Sequence, residues 1–167
     1  AGLPVVTIPE SAAGPRGLEY WVGVRTATDS LTSPRASPAE FPHTLPVTVP
    51  DLQEATSHTA LQYRMLSIPL RFSEEFTGTL ESLLSDQPEF GPYDPVQWRC
   101  FRWLSSEQRH VELPDTDHAA EFRPEPGRGC WLVCRDASRI TTAPISGFST
   151  PTDSACAVIL APGWNQV

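Results

Sequence analysis

The chain has 167 residues, 40% of them apolar, so it is long enough and apolar enough to bury a core. Its formal net charge of −8 comes from 20 acidic residues against 12 basic ones, and every basic residue is an arginine. This charge repels a phosphate backbone, which argues against nucleic acid as a partner. No apolar run approaches the roughly 18 residues of a membrane span, which argues against membrane insertion.

Proline is frequent in this chain, with 18 prolines against 10 glycines. Because proline interrupts helices and central strands, the chain must consist of many short extended pieces. We therefore predict a mainly β fold. It comprises an antiparallel β-sandwich or barrel-like domain with one short helix, preceded by a partial immunoglobulin-like domain.

Alternating side chains predict strands in the first fifty residues. Val22 and Val24 point to one side and Trp21 to the other, and LPVTVP at 45–50 is a further strand. This segment resembles the closing strands of an immunoglobulin-like or fibronectin type III domain. Only three strands are predicted, against about seven in a complete sandwich, so residues 1–50 are predicted to form a partial domain.

Residues 51–62 are polar, lack strand periodicity and are predicted to be a linker. A β-rich domain then fills residues 63–167. Its one helix candidate lies near 79–86, where leucines recur at the i, i+3 and i+4 positions after a threonine that can cap the first turn.

The stretch PGRGCWLVCR at 126–135 predicts the central strand of this domain. Leu132 points to one face with two cysteines, and Trp131 and Val133 point to the other, so both faces are apolar. The run WRCFRWL alternates in the same way, and HVELP is its predicted hairpin partner. One face of that run carries Trp98, Cys100 and Arg102. The other carries Arg99, Phe101 and Trp103. The final run, ACAVILAP, predicts a last strand with Cys156, Val158 and Leu160 on one face.

The four cysteines are Cys100, Cys130, Cys134 and Cys156. Cys130 and Cys134 lie about 13 Å apart on one strand, too far to bridge each other. Two interpretations remain. The cysteines form disulfides with cysteines on neighbouring strands, as in an oxidising compartment, or they are buried free thiols. A zinc site has less support, because the chain contains no CxxC pair.

From residue 16 onward, the order of motifs resembles a composite module from the C-terminal regions of large bacterial secreted and surface proteins. The matching motifs are the hairpin RGLEYWVGVRTATDS, a "VSVPL"-like strand, a "YDPxxWRxFR" block, a "PGRxxWL" block and a "GWNxI" ending. The resemblance implies the β fold and an extracellular or cell-surface location, and it carries no catalytic residues. Such modules continue past the Trp-Asn motif, which leads us to expect a piece of a longer polypeptide.

Tryptophans exposed on a β domain can stack on the flat faces of sugar rings. Trp21 and Trp103, with the neighbouring Arg102, are the predicted sugar-binding residues. The other tryptophans, Trp98, Trp131 and Trp164, are predicted to fill the core.

A loop rich in histidine and carboxylate residues offers weak metal candidates. These are His110, Asp115, Asp117 and His118. A solvated loop is the simpler interpretation, and a metal-dependent hydrolase is a distant hypothesis. The chain has no GxSxG elbow, and we predict no catalytic residue and no cofactor.

Two functions follow as hypotheses. The first is a non-catalytic extracellular β module, a structural or assembly segment of a bacterial surface or secreted protein, whose partners are neighbouring domains or subunits. It could polymerise by strand addition, because three strands leave unpaired edges unless the chain is a fragment. The alternative is a carbohydrate-binding module that uses exposed tryptophans to hold a polysaccharide.

Overall fold

The structure, a computed structural model, describes residues 5–14, 17–74, 76–150 and 155–167. The fold is mainly β and sandwich-like, with one short α-helix in the described residues, as the composition predicts. The strands are β1 Leu18–Tyr20, β2 Val22–Arg25, β3 Ser30–Ser33, β4 His43–Leu45, β5 Thr48–Val49, β6 Arg64–Ser67, β7 Leu70–Phe72, β8 Trp98–Leu104, β9 Arg109–Glu112, β10 Gly129–Cys134 and β11 Gly147–Ser149. The helix is α1 Leu80–Ser85, and 3-10 turns cover Glu10–Ala12 and Ala119–Phe122.

The largest sheet is antiparallel, with the strand order β6-β10-β8-β9. Its central strand, β10, pairs Leu132 with Arg64 on one side and with Cys100 on the other. The prediction that PGRGCWLVCR supplies a central strand is therefore confirmed. The hairpin of β8 and β9 is confirmed as well, because Trp103 pairs with His110 across it.

A second, three-stranded antiparallel sheet has the order β5-β11-β7. Strand β11 lies in the polar connection that follows β10, where the sequence pattern predicts no strand. A glycine is needed at its first position, because a Cβ on Gly147 would lie 2.8 Å from the Cβ of Leu70. Through β5, the end of the leading fifty residues thus joins the rest of the fold.

The remaining leading strands form two antiparallel ribbons, β1 with β4 and β2 with β3. In the second ribbon Val22 pairs with Ser33 and Val24 with Leu31, and most of its side chains are exposed. The Thr26 hydroxyl accepts the Asp29 N–H at 2.9 Å and closes the turn.

Residues 51–62 are held against the segment 138–142 by several hydrogen bonds. The Glu54 N–H donates to the Ile140 carbonyl at 3.0 Å, and the His58 N–H donates to the Ser138 carbonyl at 2.8 Å. Backbone groups in this stretch are therefore satisfied by the body of the protein.

The core lies on the inner face of the four-stranded sheet. Helix α1 begins after Thr79, whose N–H donates to the Ser82 hydroxyl at 2.9 Å, and it buries the three leucines that predicted it. The largest fully buried side chains are Trp98, Phe122, Leu70, Leu83, Leu84 and Leu132.

The final apolar run, residues 155–161, is not a strand in the described part of the chain, so that prediction is wrong. All seven residues are exposed. A strand requires a neighbouring edge, and side-chain alternation alone does not supply one.

Candidate functional site

The outer face of the four-stranded sheet is rich in aromatic side chains. Successive residues of a strand point to opposite faces, so burial of Trp98 and Cys100 turns Phe101 and Trp103 outward. On β10 the same alternation turns Trp131 outward. We call the outward side chains Tyr63, Phe101, Trp103, His110 and Trp131 the aromatic face.

The centre of the aromatic face is an open depression of about 430 Å³, lined by Tyr63, Phe101, His110 and Trp131. Phe101 and Trp131 are directly opposite each other on neighbouring strands. The Tyr63 ring, beside them, is 61% exposed. Its centroid lies 6.2 Å from that of Phe101, and the two ring planes are tilted by 45°. The depression is therefore apolar and slightly concave.

A fixed ion pair lies beside the Phe101 ring, at the edge of the aromatic face. Arg99 donates two hydrogen bonds to the Glu112 carboxylate, both at 2.6 Å, and its guanidinium carbon lies 4.8 Å from the centre of the Phe101 ring. The Tyr93 hydroxyl donates to the same carboxylate at 2.8 Å. Hydrogen bonding to Arg99 holds the pKa of Glu112 below its usual range, whereas burial followed by the bond to Glu112 raises the pKa of Tyr93. Glu112 is therefore ionised at neutral pH, with both oxygens engaged.

The C-terminal residues bound the other side of the aromatic face. The Trp164 ring meets that of Trp103 edge-on, with centroids 5.5 Å apart, and the His110 ring lies 5.0 Å from Trp103. Gln166 is buried, and its side-chain oxygen accepts the main-chain N–H of Trp103 at 2.8 Å. Its main-chain oxygen accepts the Gly129 N–H at 3.4 Å. The tail thus fixes the position of Trp103.

The predicted sugar-binding residues are not brought together. Trp103 belongs to the aromatic face but is half-buried, and Trp21 lies between β1 and β2, outside the four-stranded sheet, where its ring covers Gly23. Arg102 points to the inner side of β8 and is 14% exposed, with an ion pair to Glu121 at 3.3 Å. Burial lowers the pKa of Arg102.

Tyr63, Phe101 and Trp131 were not among the predicted ligand-binding residues. Of the three tryptophans expected in the core, Trp98 is buried, whereas Trp131 is half-buried on the outer face and Trp164 is exposed. The strand alternation does place Phe101 beside Trp103. Alternation does not show which face of β8 and β10 is buried. In the structure the buried face is the one that carries Cys100, Cys130 and Cys134.

The weak metal candidates do not converge on one point. His118 lies between two carboxylates, with Nε2 2.8 Å from Glu107 and Nδ1 2.9 Å from Asp115. His110 packs in the aromatic face, and Asp117 is exposed. Among the described residues, no group of three or more histidines, cysteines or carboxylates is arranged to hold a metal ion.

The stability of this ion cluster is expected to depend on pH. The hydrogen bond to Glu107, followed by that to Asp115, raises the pKa of His118, and His118 in turn lowers the pKa of both carboxyls. The stabilisation is therefore complete between the ordinary carboxyl value of 4.5 and the ordinary histidine value of 6.5. The stabilisation is lost as the pH rises through the raised pKa of His118.

Urea unfolding of the wild type and of His118→Ala at about pH 5.5 and about pH 9 measures this effect. We expect the variant to lose more stability at the lower pH. Equal losses at the two pH values would show that His118 is uncharged in the cluster.

The four cysteines are free thiols, and the alternative of disulfides has no support. Cys100, Cys130 and Cys134 are buried on the inner face, and Cys156 is exposed. The contact with the Cys130 sulfur, followed by burial, raises the pKa of Cys100. The three buried cysteines therefore act as small apolar core residues.

In the part of the chain that the structure describes, no helix has the length and apolar character needed to cross a bilayer. Comparisons of the chain with protein-family models, with curated proteins and with solved structures each found no match.

Proposed function

We propose that this chain is a non-catalytic extracellular β module of a bacterial surface or secreted protein, and that its aromatic face binds a neutral polysaccharide. The observation that carries the proposal is the 430 Å³ depression, in which three aromatic rings stay open to solvent on one sheet. The partial immunoglobulin-like front and the extracellular location are parts of this proposal that come from the motif resemblance.

Pyranose rings suit this surface because each has an apolar face of C–H groups and a rim of hydroxyls. The C–H face packs on aromatic rings through dispersion, and the hydroxyls reach polar groups at the edge. Here the polar edge consists of Arg99 and Glu112, which are already oriented by their two hydrogen bonds. A net charge of −8 disfavours acidic glycans, so we propose a neutral one.

The tilt of the rings selects the physical form of the glycan. Two rings at 45° cannot both lie flat against a planar crystalline surface. They can follow a single glycan chain that twists. Soluble polysaccharide is therefore the favoured form.

The rim carboxylate supports a binding role rather than hydrolysis. A general acid needs a raised pKa and a free oxygen that faces the scissile bond. Glu112 has a lowered pKa, and Arg99 and Tyr93 occupy its oxygens.

Replacing Trp131 or Tyr63 with alanine is expected to weaken polysaccharide binding about tenfold, since one aromatic contact contributes about 1.4 kcal/mol. Affinity electrophoresis on a panel of soluble neutral glucans, xylans and mannans measures the effect. Crystalline cellulose serves as the flat-surface comparison.

Trp21→Ala is the matched control, because Trp21 is an exposed tryptophan outside the four-stranded sheet, in the connection between β1 and β2. Its binding should equal that of the wild type. The proposal fails if no glycan on the panel is retained, or if Trp131→Ala binds as well as Trp21→Ala.

A structural or assembly role is the second candidate function. The β2–β3 ribbon favours it, because an exposed two-stranded ribbon is marginally stable alone.

A further inference from the structure

Residues 156–160, with the sequence CAVIL, form an unpaired apolar run on the surface. Ile159 is 95% exposed, and Val158 and Leu160 are exposed as well. No backbone hydrogen bond joins these five residues to any other part of the chain that the structure describes. The run therefore has the composition of a buried strand without the edge that would pair with it.

The run is held in place at its C-terminal end. The Ala161 N–H donates to the Asn165 side-chain oxygen at 2.9 Å, and the Asn165 amide donates to the Ala161 carbonyl at 2.8 Å. Near its middle, Val158 packs on Gly127, where an added Cβ would lie 2.6 Å away. These contacts present the run at a defined place on the surface.

The β2–β3 ribbon has an exposed apolar face and strand edges that can accept a further strand. Val22, Val24 and Leu31 lie on one of its faces, because Val24 pairs with Leu31, and all three are exposed. Among the residues that the structure describes, neither strand of the ribbon pairs with a third strand. One additional strand with an apolar side would pair an edge and extend the apolar face.

The run offers an unpaired strand and the ribbon offers an unpaired edge, yet the two do not pair with each other in the described part of one copy. The run carries no charged residue, so its approach to another copy with a net charge of −8 is not opposed locally. We infer that residues 156–160 of one copy add as a strand to the β2–β3 ribbon of a second copy.

This inference rests on the assembly role of the proposed function and names its donor, acceptor and partner. The contact is head-to-tail, because donor and acceptor are different surfaces. Copies joined in this way form rings if the rotation closes and open chains if it does not.

Sedimentation velocity over a concentration series up to about 1 mM tests the inference. The average mass of the wild type should rise with concentration. Val24→Glu and Leu160→Glu should each weaken association at least about tenfold, since each puts a charge on the shared apolar face of the new strand pair. Val96→Glu is the matched control, because Val96 is an exposed valine outside both elements, and it should associate like the wild type.

A wild type that stays monomeric overturns the inference. So does association that survives either Val24→Glu or Leu160→Glu, because strand addition requires both surfaces. Retention on polysaccharide should persist in both variants. If association is lost while glycan binding remains, the result concerns the strand addition alone. A wild type that binds no glycan contradicts only the proposed role of the aromatic face.

Discussion

Replacing Trp98 with alanine is expected to lower the free energy of unfolding by about 4 kcal/mol. The Trp98 side chain is 2% exposed. It meets the rings of Phe90 and Tyr93 edge-on, with centroids 5.9 Å and 4.9 Å away. Alanine would leave a cavity between the four-stranded sheet and the loop that holds those rings. Urea unfolding followed by circular dichroism measures the loss.

Trp98→Phe is the control, and its expected cost is below about 1.5 kcal/mol. A benzene ring keeps most of the edge contacts. It also removes the indole N–H, which is buried and has no hydrogen-bond partner in the described structure. Equal losses for the two variants would mean that ring packing is not what Trp98 contributes.

Signals that are local in the sequence predicted the central elements well. Alternation over seven residues marked β8, and three leucines at helical spacing marked α1. Both signals come from neighbours along the chain, which share one face of a strand or helix whatever surrounds them.

The location of the aromatic face could not be predicted, because both faces of β8 and β10 are apolar. Burial was decided by what packs against the sheet. Helix α1 and the segments near it cover the side that carries Cys100 and Leu132, which leaves Phe101 and Trp131 outside. Alternation specifies which residues share a face but does not specify which face meets the core.

Local sequence patterns do not determine how the last apolar run and residues 51–62 are held in the fold. The run has strong alternation but no paired edge in the described structure, so it is not a strand. Residues 51–62 have no periodicity, yet side chains and isolated backbone bonds fix them to the body. Pairing between distant segments is the determinant in both cases, and composition does not encode it.

The second large effect is expected at Glu54, within residues 51–62. One carboxylate oxygen of Glu54 lies 3.1 Å from Arg64 and accepts the Ile140 N–H at 2.8 Å. The Arg64 side chain is only 7% exposed, and its other terminal nitrogen donates to Ser138 at 3.3 Å. Glu54 is therefore the counter-charge of a buried guanidinium.

Replacing Glu54 with glutamine is expected to lower the free energy of unfolding by about 3 kcal/mol. Arg64 would remain buried without a counter-charge, because an amide oxygen carries no formal charge. The value lies at the low end for a buried pair because Glu54 itself is 26% exposed. Urea unfolding at neutral pH measures the change.

The double variant Glu54→Gln with Arg64→Met separates charge from packing. It removes the buried charge together with its partner and keeps an apolar stem, so it should be more stable than Glu54→Gln alone. A double variant that is less stable would show that Arg64 contributes through its contact with Ser138. If Glu54→Gln costs less than about 0.5 kcal/mol, residues 51–62 behave energetically as the polar linker that their composition suggests.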